Sequence, residues 1–185
     1  MKIIKLCALL VLSFVFAGCN SSPPALQDVP ETTSRGYSLG AGDTVSIVVY
    51  GEPEMTMHFI IDKSGAINFP YIGPLVLKGK TPEQVSDELT TRLRGEYLSK
   101  PMVTVSIVAF RKFYISGEVK NPNGYAYEPG LTVGRAIALA GGFTDRADRS
   151  DISIQRAGEG ELPGSVGSGY AVHPGDIVTI GMGFF

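Results

Sequence analysis

Polar and apolar residues alternate from Val45 through Ile47 to Val49, a period of two that predicts a strand over 45–50. Met57–Ile61 reads as a second strand. Asp62–Gly65 reads as a turn, with Gly65 punctuating a hairpin into Ala66–Tyr71, and Leu75–Leu77 is a short extended piece. The period then lengthens. Val85, Leu89 and Leu93 recur every four residues behind Thr81, Pro82 and Gln84, which spell a capping box with proline in the first turn; Gly95 ends this predicted helix. Alternation returns over Met102–Val108. A second round follows, with a strand over Phe113–Val119 and turns at Asn121–Gly124 and Glu128–Gly130. A helix over Leu131–Ala140 is capped by Thr132 and stopped by Gly141 and Gly142. Strands then fall over Ile152–Gln155 and Asp176–Ile180. Between those last two strands, 158–169 reads as a flexible, glycine-rich loop. Each round runs strands, helix, strand, so the predicted class is α+β.

One phrase occurs twice. Gly42-Asp43 precedes the first strand and Gly175-Asp176 the last. Glycine adopts positive φ without steric cost, and Asp accepts hydrogen bonds from nearby backbone N–H groups, so both pairs read as turns that launch a strand.

The chain begins differently. Lys2 and Lys5 precede an apolar run from Leu6 to Gly18, too short to span a bilayer comfortably and patterned as a secretory signal. Phe16-Ala17-Gly18-Cys19 resembles the lipobox of bacterial lipoproteins, with Phe16 in place of the more usual Leu. That resemblance implies cleavage before Cys19, acylation of its thiol and its new amine, and, with Asn20 next, sorting to the outer membrane. Buried acyl CH₂ groups contribute about 0.8 kcal/mol each, so several chains anchor stably. Cys7 leaves with the signal, so no disulfide or cysteine metal site is expected. Residues 20–36, rich in Ser, Thr and Pro, read as a tether.

Composition excludes several functions. Sixteen basic against eighteen acidic residues, without a basic run interleaved with aromatics, argues against nucleic-acid binding. His58 and His173 stand apart, and no cluster has metal-ligand spacing; no cofactor is expected. Glu52 and Glu54 are close in sequence, but Pro53 between them reads as a turn rather than as part of a glycosidase pair. Arg111, Lys112, Arg146 and Arg149 read as a solvated face, with acidic sugars or a neighbouring subunit's carboxylates as the alternative partners. Tyr71, Tyr97, Tyr114, Tyr125 and Tyr127 read mostly as core or interface, with sugar stacking as the alternative.

Tyr37–Ile47 and Asp62–Gly73 together resemble the polysaccharide export domain of the outer-membrane polysaccharide export family. Gly117–Gly124 with its Pro122, Leu131–Phe143 after the Gly130 turn, and His173–Val178 resemble the soluble-ligand-binding β-grasp domain of the same proteins. The expected organisation is a signal over 1–18, a lipidated tether over 19–36, an export domain over 37–110 and one β-grasp domain over 111–185. The resemblance implies a non-enzymatic ring of identical subunits at the periplasmic face of the outer membrane. Polysaccharide passes through it, supplied by an inner-membrane copolymerase. Longer members end in an amphipathic helix that forms the pore. With the sequence stopping at Phe185, the expectation is that a separate outer-membrane β-barrel supplies the exit, with Phe184 and Phe185 as candidate contacts to it or to a neighbouring subunit. The alternative is a monomeric periplasmic lipoprotein that binds a small ligand in its β-grasp domain.

Overall fold

The computed structural model describes residues 36–156, 160–162 and 164–183. The predicted signal, Cys19, the tether before Gly36, and Phe184 and Phe185 lie outside them. The described residues form a mixed α+β fold, in which two helices lie among many strands.

The first part contains strands β1 (Thr44–Val49), β2 (Met57–Ile60), β3 (Ala66–Phe69) and β4 (Gly73–Val76), helix α1 (Pro82–Leu93) and strand β5 (Val103–Ala109). β1 is central in a three-stranded sheet, antiparallel to both β2 and β5. Val45, Ile47 and Val49 point to one face, as the alternation requires, and meet Val85, Leu89 and Leu93 of α1 in one hydrophobic cluster. The α1 capping box is complete: the Thr81 hydroxyl accepts from Gln84 N–H at 3.3 Å, and Gln84 Oε1 accepts from Thr81 N–H at 2.9 Å.

One expected hairpin is misplaced by the sequence reading. β3 pairs with β4, not with β2, and the chain reverses at Pro70–Ile72 with Tyr71 at φ 67°. The Asp62–Gly65 turn itself forms, with Gly65 N–H donating to the Asp62 carbonyl at 3.0 Å, and Gly65 makes a further contact. Its carbonyl accepts from Leu77 N–H at 2.8 Å and Lys78 N–H at 3.0 Å, which ties the start of β3 to the segment after β4.

The second part contains β6 (Phe113–Gly117), β7 (Asn123–Tyr125), helix α2 (Val133–Leu139), β8 (Ala147–Arg156), β9 (Gly160–Glu161) and β10 (Ile177–Met182). Their sheet order is β7-β6-β10-β8-β9, with β10 parallel to β6 and antiparallel to β8. Phe113, Ile115, Val133, Ile137, Ile152, Ile154, Val178 and Ile180 make the second hydrophobic cluster. Three expectations need correction. Asn123 and Gly124 belong to β7 rather than to a turn, because they pair with Ile115 and Tyr114. β8 starts five residues before the predicted strand; its polar first half lies on the surface, where alternation leaves no apolar trace. The described residues of 158–169 are not a free loop: Glu161 pairs with Gln155, Leu162 N–H donates to Ile154, and Val166 N–H donates to Ile152.

Gly117 shows the tightest backbone approach. Its φ is +78°, and a Cβ there would lie 2.0 Å from the Ile180 carbonyl oxygen. Gly141 and Gly142, both at positive φ, follow the Ala140 cap of α2, and Gly130 turns the chain just before it. Pro122 sits in the β6–β7 connection.

Candidate functional site

The two Gly-Asp turns meet at one arginine. Gly42 has φ +91° and Gly175 has φ +89°. Each following Asp is fully buried and accepts a backbone N–H from three residues earlier: Asp43 Oδ2 from Gly40 at 2.8 Å, Asp176 Oδ2 from His173 at 2.9 Å. Each also pairs with an arginine at the end of the antiparallel neighbour of the strand it launches. Arg111, just past β5, donates from its backbone N–H to Asp43 Oδ1 at 2.7 Å and from Nη1 to Asp43 Oδ2 at 2.9 Å. Arg156, the last residue of β8, donates from Nε and Nη2 to the two Asp176 oxygens, both at 3.2 Å. A buried carboxylate needs such donors, since burying it bare costs many kcal/mol.

Arg111 does more than neutralise Asp43. Its Nε donates to the Pro174 carbonyl at 3.0 Å, its Nη1 also donates to the Tyr37 hydroxyl at 2.7 Å, and its guanidinium lies 5.6 Å from the Tyr37 ring centroid. Tyr37 packs edge-on against Phe110 at 4.9 Å, and Phe110 packs against Tyr127 at 5.4 Å. One side chain therefore links the turn before β1 to the turn before β10, and three rings run beside it. Ala41, Gly42, Arg111, Lys112, Tyr114 and Gly175 line a cleft of about 430 Å³ there.

The electrostatics follow from burial and partners. Burial, aided by its hydrogen bond to Asp43, pushes the Tyr37 phenol far up, so it stays a donor. Burial alone would raise Asp176, but hydrogen bonds from His173 and Arg156 outweigh it and hold the carboxyl below its ordinary value.

Several expected roles change. Arg111 is not part of a solvated face, because Asp43 and Pro174 hold it. His173 does not stand apart: its Nδ1 is 2.7 Å from Arg156 Nη2. Tyr71, Tyr97 and Tyr114 are exposed rather than buried; Tyr71 and Tyr97 face each other at 5.9 Å. Tyr125 and Tyr127 are half-buried against the second cluster. Ile177 is on the surface, and the buried alternation of β10 runs through Val178 and Ile180. Arg149 lies over the Phe143 ring at 5.4 Å. Glu52 caps a short 3₁₀ turn over Pro53–Met55, and Glu54 lies within that turn, exposed. Among the described residues, no group of three or more His, Cys, Asp or Glu side chains is placed to hold a metal ion. Sequence reasoning missed Tyr37, Arg111, Arg156 and His173 as partners of the two Asp residues. A usable signal existed, since antiparallel pairing sets the start of one strand beside the end of its neighbour.

A second cleft, of about 510 Å³, lies on the second part between Tyr125, Glu128, Leu131, Arg135 and Leu139. Arg135 donates across its rim to the Gly130 carbonyl at 3.2 Å.

Comparison with known proteins adds to this geometry. Residues 31–108 match the family described as polysaccharide biosynthesis/export protein, and residues 112–165 match the SLBB domain. The chain is 30% identical to the EPS I polysaccharide export outer membrane protein EpsA of Ralstonia solanacearum, over 66% of this chain and 40% of that protein. It is 35% identical to the exopolysaccharide production protein ExoF of Rhizobium meliloti, over 49% of this chain and 22% of that one. It is 26% identical to the polysialic acid transport protein KpsD of Escherichia coli, over 65% and 22%. The chain thus spans well under half the length of these curated relatives. Residues 31–108 thus belong to the polysaccharide biosynthesis/export family and residues 112–165, directly after them, to the SLBB domain family.

Proposed function

We propose that this chain is a lipid-anchored subunit of a ring at the periplasmic face of the outer membrane, through which capsule or exopolysaccharide chains pass to a separate β-barrel. The observation that carries this reading is the consecutive match to an export domain and an SLBB domain, together with the similarity to relatives named for polysaccharide export and polysialic acid transport. Acylated Cys19 holds the subunit at the lipid surface, and residues 20–36 give the folded part reach. The export domain takes 37–110 and the β-grasp domain 111–185. An inner-membrane copolymerase feeds the ring, and polymer synthesis supplies the driving free energy. The Arg111 junction supports the reading: a closed ring of identical copies needs every copy to hold its two cores in one relation, and Arg111 bonds to both sides.

Three measurements test it. Deleting the gene removes polysaccharide from the cell surface; unchanged surface polymer refutes the reading. Mass spectrometry of the matured protein finds a diacylglyceryl thioether on Cys19; a free thiol refutes the anchor. The purified full chain alone gives no planar-bilayer conductance; robust channels refute the separate barrel.

A second reading, a monomeric ligand-binding lipoprotein, draws on the cleft lined by Tyr125, Leu131, Arg135 and Leu139. Molar mass in detergent separates the two, since a ring is a large homo-oligomer.

A further inference from the structure

The first sheet has two open edges, β2 and β5, and no further strand lies beyond either one among the described residues. Edge strands usually carry a charge, a proline or a bulge that prevents pairing with another chain. Neither edge has a charge or proline: β2 reads MHFI and β5 reads VTVSIVA. The irregularity in this sheet is a bulge on β5 itself: Val45 pairs with Ile107 and Thr44 with Ala109, so Val108 is the extra residue, and the edge is regular only from Val103 to Ile107.

The two edges also match each other. Both strands are antiparallel to β1, so they run in the same direction. Tyr50 N–H donates to the Met102 carbonyl, so the backbone groups of Met102, Thr104 and Ser106 face β1 while those of Val103, Val105 and Ile107 face outward. The Val103 carbonyl agrees with this phase, since it accepts from the Ser86 hydroxyl at 2.6 Å beside the sheet. On the other side, β1 register sets Val45 opposite Phe59 and Ile47 opposite Met57, which turns the backbone of His58 and Ile60 outward.

We propose that β5 of one copy pairs in parallel with β2 of the next, and that this contact joins the subunits of the ring; the inference rests on the ring reading given above. With Phe59 of the next copy opposite Ile107, Ile107 N–H reaches the His58 carbonyl and the Ile107 carbonyl receives Ile60 N–H. Val105 bonds in the same way to Thr56 and His58. Hydrogen-bond phase, strand direction and pleat are satisfied together as far as Ile107: Ile107 and Phe59 point to the core face and Ser106 meets His58 on the other, while Val108 follows at the bulge, next to Ile60. Ile60, which pairs with Thr44, is 72% exposed in the single copy, and Val108, the bulge residue after Ile107, is 54% exposed. The contact covers two solvated apolar side chains at opposite edges. It is head-to-tail, the type of interface that generates a ring when its rotation closes. A groove of about 360 Å³ lined by Pro82, Ser86, Asp87 and Val105 leaves room beside the β5 edge.

The test uses the full chain in detergent, with sedimentation velocity and negative-stain imaging. Ile60→Lys and Val108→Lys each put a charge into the contact, while circular dichroism checks that the fold is unchanged. Each single variant raises the half-assembly concentration about tenfold or more. Ile60→Lys combined with Val108→Glu places opposite charges side by side across the contact and restores assembly. If the single variants assemble like the wild type, the edge pairing is refuted and the ring reading stands. If they assemble normally yet stop polysaccharide export, this face belongs to the polymer and the edge pairing is again refuted. A wild-type chain that stays a single copy at every concentration refutes the ring reading itself.

Discussion

Asp43→Ala removes the group on which the junction between the two cores depends. The Asp43 carboxylate accepts from Gly40 N–H, Arg111 N–H, Arg111 Nη1 and the Tyr37 hydroxyl, all between 2.7 and 2.9 Å. Alanine leaves four donors facing a small void, with one of them still charged. Removing one partner of a buried ion pair costs about 3–5 kcal/mol. The Arg111 side chain is 25% exposed, so water reaches part of the guanidinium and the expected cost is at the low end, about 3 kcal/mol. For a domain of this size that corresponds to a melting temperature lower by about 6–12 °C. Urea denaturation of the full chain followed by circular dichroism reads the difference. Adding Arg111→Met to Asp43→Ala removes the stranded cation, so the double variant loses less than the two singles together. A loss below about 1 kcal/mol for Asp43→Ala, the range of an exposed pair, refutes the assignment of Asp43 and Arg111 as the junction.

Gly117→Ala drives a methyl group into the Ile180 carbonyl and lowers stability by about 3 kcal/mol or more, measured by thermal melting. Thr81→Ala breaks the capping box of α1 and costs about 1 kcal/mol in the same assay; Thr81→Ser keeps most of it. The folded Asp176 carboxyl titrates below its ordinary value of 3.8, so its contribution is complete above that pH and is lost as pH falls through the lower folded value. Asp176→Asn therefore lowers stability at neutral pH and flattens the acid limb of the stability profile, which denaturation at a series of pH values measures.

Local signals in the sequence carried far. The Thr81–Gln84 box, the four-residue spacing of Val85, Leu89 and Leu93, and the alternation of β1 and β5 depend on neighbours in the chain, and each element forms about where its pattern puts it. The Gly-Asp pairs are turns for the same reason. What the pattern could not hold is the choice of distant partner. Asp43 and Arg111 are 68 residues apart, and their meeting follows from β1 pairing with β5. Gly65 shows the same limit: a glycine after a polar turn fits a β2–β3 hairpin equally well, and only the preference of β3 for β4 excludes it. The first half of β8 escaped notice because Asp148, Arg149 and Ser150 have no buried face to mark. That Tyr71, Tyr97 and Tyr114 lie outside the core was not legible, because an aromatic ring packs well in a core and also sits stably beside another ring on the surface.

The position of β10 in its sheet sets an order of events during biosynthesis. It is inserted between β6 and β8, so the first and third main strands of that sheet have no contact along their shared side until the final one emerges. The Val178 and Ile180 side chains come late, whereas the earlier cluster is complete once Val105 has been made. The nascent chain thus holds one finished nucleus and one open sheet, and the Pro174 carbonyl that Arg111 grips arrives only as the gap is about to close.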